Sequence, residues 1–367
     1  MRITTPQLQL LKHLQMVEHA VNDRSTLPIL ANVLLQTTNQ ELLLSATDLD
    51  VGIQCRFPLI PPIEQGAVAL PARKLTTIIR ELPEESVVLE ARKNHAATVT
   101  CGASSFRIPG LPAEDFPALP PTTQEHAVAI SQGALKALIT LTAHAMSMEE
   151  TRFILNGTLL TVQKGQLIVV STDGRRLALA SAPISKGSHE ALSAVVPAKA
   201  VRELGRLLQG EETDEVQIAP LKDNQLTFTF GPITLITRLI DGQFPAYEKV
   251  IPPAAKTIMT CQRDALINAI RRASLMTSAA SQAVVFEVNA NTLVVSKESA
   301  ELGSAREELD VSYNGGPITI AFNPEFWLDV LKVMDTADVA IELTSPEKPA
   351  VVRQPGFTYL VLPMKAV

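Results

Sequence analysis

Apolar residues recur at helical spacing in three look-alike stretches of the chain. LPARKLTTIIREL puts Leu75, Ile78, Ile79 and Leu82 on one face, VPAKAVRELGRLL puts Val201, Leu204, Leu207 and Leu208 there, and FNPEFWLDVLKVM does the same with Phe326, Val330, Leu331 and Met334. Each opens on a proline, which fits the first turn of a helix because its missing N–H costs nothing there. The prolines are 126 (71 to 197) and 127 (197 to 324) residues apart. A second helical pattern precedes each stretch. PQLQLLKHLQMVEHAV carries Leu10, Leu14, Val17 and Val21; SQGALKALITLTAHAM carries Leu135, Leu138 and Ile139 behind Ser131 as N-cap; RDALINAIRRASLM carries Leu266, Ile267 and Ile270.

Short β-type runs fill the spaces: NVLLQTT, ELLLSAT, SVVLEA, ATVTC, GTLLTVQ, QLIVVST, VVFEVN, TLVVSK, VAIELT, PAVVRQ and FTYLVLP. The turn residues repeat as well, since Thr47-Asp48 in SATDLD and Thr172-Asp173 in STDGRR stand 125 apart. The pattern predicts an α+β chain of three repeated domains, each with two helices packed on antiparallel sheets. Proline-rich joints at 111–123 (LPAEDFPALPPTT) and 241–255 (DGQFPAYEKVIPPAA) set the domains at 1–122, 128–250 and 253–367.

Composition narrows the function. Hydrophobic residues make up 46% of the 367, enough for real cores. Cys55, Cys101 and Cys261 are far apart and lack CxxC spacing, which fits a reducing compartment and neither a disulfide framework nor a zinc site. There is no signal-peptide layout at the N-terminus and no apolar run of the roughly 18 residues a membrane helix needs, so a cytoplasmic protein without membrane contact is expected. No GxGxxG, GxxxxGK[ST], GxSxG or HExxH motif occurs. The histidines at 13, 19, 95, 126, 144 and 189 are scattered, and His144, near a helix end, reads as a capping or core residue. The acid pairs Glu149-Glu150, Glu211-Glu212 and Glu307-Glu308 read as solvated loops. A repeat without a catalytic constellation predicts a binding protein, not an enzyme, with no metal or cofactor.

The net charge of −6 argues against coating nucleic acid by bulk charge, but the charge is segregated. The six helical stretches together carry +5, leaving −11 for the rest. A surface lined by those helices attracts phosphate while the exterior repels it. Aromatics are only 4% of the chain, which disfavours stacking on single strands and favours sequence-blind contact with a duplex backbone.

These residues carry a resemblance that spans the chain. RSTLPILANVLL (24–35), ATDLD (46–50), LPARKL (70–75), LPAEDFP (111–117), RFILNG (152–157), STDGRRLA (171–178), LIDGQFPAYEKVIP (239–252) and YLVLPM (359–364) are similar, in order, to the bacterial sliding clamps, the DNA polymerase III beta subunit family. The resemblance implies a non-catalytic processivity factor of DNA replication, a head-to-tail homodimer closed into a ring of six domains, with helices facing a hole that holds double-stranded DNA non-specifically. It implies a pocket at the STDGRR turn for short Gln-Leu-x-Leu-Phe-like peptides of the replicative polymerase alpha subunit, the clamp loader, other polymerases and repair proteins. That pocket would use Leu155, Thr172, Gly174, Arg175, Arg176 and Leu177; Pro245, Tyr247, Lys249 and Val250; and Leu360, Val361, Leu362, Pro363 and Met364. DNA contact would fall to Arg24, Arg73, Lys74, Arg80, Arg152, Lys199, Arg202 and Arg206. The subunit interface would set Phe106 and Arg107 against Leu275 and Met276, with Glu301, Glu307 and Glu308 near Lys74.

Some positions depart from the family pattern. Arg175 stands where a histidine is familiar, which bears on peptide preference. Glu149 stands where a neutral DNA contact is familiar, Phe153-Ile154 replace a tyrosine-like pair, and the chain runs on to Lys365-Ala366-Val367. Two other readings compete: an enzyme whose arginines at 175 and 176 grip an anionic substrate, for which no base, nucleophile or metal set stands nearby, and a scaffold that binds partners without touching DNA.

Overall fold

A strand runs straight into a helix at Pro6, Pro71, Ser131, Pro197 and Gln262. The computed structural model describes residues 1–122, 126–186, 192–210, 214–279 and 281–365, so Glu211-Glu212, His189 and the final Ala366-Val367 lie outside the described residues. Among the described residues are six α-helices: α1 (Gln7–Val17), α2 (Ala72–Glu81), α3 (Gln132–Thr142), α4 (Ala198–Leu207), α5 (Arg263–Ala273) and α6 (Pro324–Val333). Only Pro324 takes the first helical position. The Asn323 side chain caps α6 by accepting from the Glu325 N–H at 2.9 Å. Pro71 and Pro197 instead end the strands Ala67–Pro71 and Ser193–Pro197, one residue ahead of their helices. Pro71 has φ −56° and ψ 110°, an extended joint in which a missing donor is cheap at a strand end.

The chain divides into two compact units. The first holds Met1–Gly133 and Arg202–Leu239, with a short stretch that begins at Ile184. It has a five-stranded antiparallel sheet in the order Ile60–Glu64, Arg2–Pro6, Ser86–Ala91, Ala97–Cys101, Ser104–Ile108. It also has an eight-stranded one, in which Ile233–Arg238 pairs antiparallel with Val51–Pro58. Leu10, Leu14 and Val17 of α1 and Leu75 and Ile79 of α2 are fully buried, each side chain contributing about 1.5–3 kcal/mol of hydrophobic stabilisation.

The second unit holds Ala134–Pro183 and Ile240–Val367, with a stretch that ends at Val201. Its nine-stranded sheet pairs Arg176–Pro183 with Phe357–Val361. Its four-stranded sheet runs Gly303–Asp310, Thr292–Ser299, Val284–Val288, Ile318–Phe322. Behind the latter, Phe286, Phe322 and Trp327 cluster with ring centroids 5.4, 5.4 and 5.9 Å apart. Glu307 and Glu308, expected on a loop, belong to the edge strand Gly303–Asp310, whose side chains are all exposed or half-exposed. Its half-buried face carries Ala305 and Leu309 with Glu307 between them, which blurs the alternation in the sequence. Glu307 is also not a freely solvated acid, because it pairs with Arg272 at 2.5 Å.

One turn is built twice. In the second unit, Thr172 Oγ1 donates to the Arg176 carbonyl at 2.6 Å and accepts from Gly174 N at 3.0 Å, while Asp173 Oδ1 accepts from the N–H groups of Arg175 (2.9 Å) and Arg176 (3.0 Å). In the first unit, Thr47 Oγ1 donates to the Val51 carbonyl at 3.1 Å and accepts from Leu49 N at 3.0 Å, while Asp48 Oδ1 accepts from Asp50 (3.1 Å) and Val51 (2.8 Å). Gly174 and Leu49 both take positive φ, +85° and +82°. The Thr-Asp pair recurs because its side chains satisfy the turn's backbone donors.

Candidate functional site

An apolar cavity of about 180 Å³ lies within the second unit. The 172–176 turn and Leu177 form one wall, Leu155 and the joint residues Pro245, Ala246, Tyr247 and Val250 another, and Leu360 and Leu362 the third. Its floor is continuous with a buried core in which Leu155, Leu177, Tyr247 and Leu360 pack with Phe244 and Val351. Strand pairing builds the wall, with Leu177 opposite Leu360 and Arg176 opposite Val361. Beyond the strand the Leu362 N–H still donates to the Arg175 carbonyl at 2.9 Å. Successive strand residues face opposite ways, so Leu360 and Leu362 reach the cavity while Val361 is buried away from it at 0% exposure. Lys249, Pro363 and Met364 are also outside the lining, and Met364 ties its backbone N–H to Ala321 at 2.7 Å. Ala246 joins the lining without having been expected, since a methyl group carries no motif signal. Val250 (56% exposed) and Leu362 (40%) leave apolar surface open around the mouth.

The turn is held from behind. Arg176 is buried, and its guanidinium pairs with Asp173 at 3.0 Å and with Asp329 of α6 at 2.7 Å, lying 4.5 Å from the centre of the Phe326 ring. The Tyr359 hydroxyl donates to the Phe326 carbonyl at 2.7 Å, and burial raises the pKa of that phenol. Burial, reinforced by Glu248, pushes Tyr247 up to about 12, so both phenols are neutral at physiological pH. Arg176 thus stiffens the wall, because two carboxylates and a ring already use its charge. Asp329 stands 153 residues from Arg176, and nothing in the sequence pointed to it.

The expected DNA-contacting cations fall into two groups. In the first unit Arg24 is exposed, as are Arg73, Lys74 and Arg80 on the outer face of α2. Arg73 pairs with Asp23 at 2.5 Å, and Arg73 and Arg80 line a polar depression with Glu18, His19 and Thr77. Arg202 is exposed on α4. Arg206 pairs with Glu203 at 2.9 Å and donates to the carbonyls of Gln15 (3.2 Å) and Met16 (3.1 Å) at the end of α1. In the second unit Lys199 is half-buried, and Arg152 pairs with Glu149 at 3.3 Å while donating to the Asp173 carbonyl at 2.8 Å. Arg73, Arg152 and Arg206 are therefore already engaged within the chain. Of the expected interface residues, Phe106 (40% exposed) and Arg107 lie open on the edge strand Ser104–Ile108 of the first unit. In the second unit Leu275 is 69% exposed beside half-buried Met276, and Glu301 and Glu308 are exposed. Among the described residues no group of His, Cys, Asp and Glu is arranged to hold a metal, and no helix is long and apolar enough to cross a membrane.

Comparison with known proteins covers the whole chain. Models of the DNA polymerase III beta subunit match over residues 1–120 (N-terminal domain), 129–246 (central domain) and 248–365 (C-terminal domain). The chain is 36% identical to a beta sliding clamp of Pseudomonas putida and 34% identical to that of Escherichia coli K12, with all of each chain covered. Solved structures of similar fold include a Pseudomonas aeruginosa sliding clamp bound to griselimycin (35% identity, TM-score 0.94) and the Bacillus subtilis DNA polymerase sliding clamp (29%, 0.94), again over 100% of both chains.

Proposed function

The chain belongs to the DNA polymerase III beta subunit family, the non-catalytic sliding clamps of DNA replication, and on that premise we propose that two copies join head to tail into a ring that encircles duplex DNA without reading its sequence. The observation that carries this reading is that two sheet edges left open among the described residues differ in chemistry. Ser104–Ile108 ends the five-stranded sheet and Gly303–Asp310 ends the four-stranded one. Exposed edges of this length invite another chain. The first edge presents Phe106 and Arg107, while the second carries Arg306 against Glu307, Glu308 and Asp310, a formal charge of −2. Unlike edges make a heterologous contact, which with two copies closes on itself. Phe106 would pack against Leu275 and Met276 of the other copy, and Lys74 and Arg107 would face Glu301, Glu307 and Glu308.

In the ring, Arg24, Arg73, Lys74, Arg80, Arg152, Lys199, Arg202 and Arg206 supply loose, salt-screened phosphate contact. Topology keeps the ring on DNA, so a net acidic protein works as a clamp. The apolar cavity receives a short peptide with leucine and phenylalanine anchors. The polymerase alpha subunit, the clamp loader and other polymerases and repair proteins would present it in the cytoplasm. Buried apolar anchors carry most of the energy in such contacts.

The test is retention on nicked circular plasmid after loading, followed by gel filtration. The clamp is expected to travel with the circle and to leave when a single cut makes it linear. Equal retention on both forms would reject encirclement.

A further inference from the structure

The acidic edge strand Gly303–Asp310 already has cations from its own chain. Glu307 sits on the half-buried face between Ala305 and Leu309, and its carboxylate accepts from the Arg272 guanidinium at 2.5 Å. On the other face Arg306 pairs with Glu308 at 3.1 Å. The Glu307 pair is the shorter and the less solvated, since the Glu307 side chain is 24% exposed against 61% for Glu308. The same hydrogen bond holds the Glu307 carboxyl below the ordinary carboxylate range, so the acid is charged and its charge is already answered. Arg272 stands three residues before Leu275 on a helix that runs from α5 into the 3₁₀ turn Ser274–Met276, with Ala273 and Ser274 both in helical conformation. Residues three apart share a side of a helix. This guanidinium therefore lies beside the exposed leucine on which a second copy would seat.

We propose that Arg272 competes with the second copy for Glu307: it holds the acid within the chain, and the other copy gains that contact only by taking it away. This rests on the head-to-tail reading above, in which Lys74 and Arg107 of the other copy come to the acidic edge. A solvated ion pair contributes little, because two long side chains must be ordered in water. Exchanging a pair within the chain for one between chains contributes less still. Association is weakened in this way without any change at the apolar anchors Phe106 and Leu275. A closed ring admits a circular duplex only by opening, so a contact of limited strength serves it.

The experiment is the dimer dissociation constant, read by fluorescence-detected sedimentation velocity over a dilution series at low and high salt. The chains are the full-length parent, Arg272→Gln, Arg272→Lys, Glu307→Gln and the double variant Arg272→Gln/Glu307→Gln. Arg272 is exposed, so its variants should keep the parent's fold. Arg272→Gln is expected to dimerise about 3-fold more tightly than the parent at low salt, an advantage that fades as salt rises. Arg272→Lys, which can still hold the acid, should stay near the parent. In the Glu307→Gln background the same Arg272→Gln change should bring no gain, because the effect runs through the pair. A gain of equal size in that background overturns the proposal, since Arg272 would then act as a like charge repelling Lys74 and Arg107. Dimerisation of Arg272→Gln that is unchanged or weaker overturns it as well, and leaves the ring reading standing. A folded parent that stays monomeric at every concentration overturns both.

Discussion

His144 shows how one side chain behind the cavity ties stability to pH. It sits in the 3₁₀ turn Ala143–Ala145 after α3, its ring 5.5 Å from that of Tyr359. Burial first, and then the Arg176 guanidinium, hold its pKa down to about 4, against a smaller opposing pull from Asp329. The folded chain therefore keeps this imidazole neutral where the unfolded chain, titrating near 6.5, takes up a proton. The unfolded state binds more protons between those values, so this contribution to stability is complete above about pH 6.5 and is lost as pH falls toward 4. The loss is about 2–3 kcal/mol. Urea unfolding of His144→Gln and of the parent chain, compared near pH 7 and near pH 5, checks it. The parent should lose more stability over that interval, and parallel losses would remove His144 as the cause.

At the scale of the element, the twice-built turn sets a cost on one residue. Leu49 holds φ +82° where its counterpart is Gly174, and a bulky side chain in that region is strained. Leu49 is 46% exposed, so its packing offsets little of that strain. Leu49→Gly is expected to gain roughly 0.5–1 kcal/mol in chemical unfolding, whereas Gly174→Ala should lose a similar amount, because its new Cβ would also come within 3.0 Å of Arg152 Nη1. A loss in Leu49→Gly would mean that Leu49 earns its place through contacts the φ argument ignores. The Thr-Asp pair made both turns legible in the sequence, and apolar runs such as Gln166–Thr172 marked the strands beside them. Gly303–Asp310 was not legible, because Glu307 interrupts the half-buried face of Ala305 and Leu309 and blurs its period-two signal. Period two also separates Leu360 and Leu362 from Val361, although the resemblance alone had grouped all three in the pocket. The Arg176–Asp329 pair could not be read at all, since only the fold brings residues 153 apart together.

For the whole molecule, separate parts of the surface carry separate tasks, and the proposed ring makes that testable. Every residue that lines the cavity lies in the second unit of one chain. Closure would instead depend on contacts between copies, with Leu275, 69% exposed, as an apolar anchor. Leu275→Asp would place a carboxylate in that contact beside Glu307 and Glu308, so desolvation and like charge both oppose association. The variant is expected to elute as a monomer from a sizing column and to leave circular DNA. Because the residue is already solvated in the single chain, its fold and thermal transition should change little. Its affinity for a Gln-Leu-x-Leu-Phe peptide should stay within about 2-fold of the parent. A variant that stays dimeric removes Leu275 from the interface. A monomer that has also lost the peptide would mean that the cavity depends on the second copy, contrary to its assembly from one chain alone.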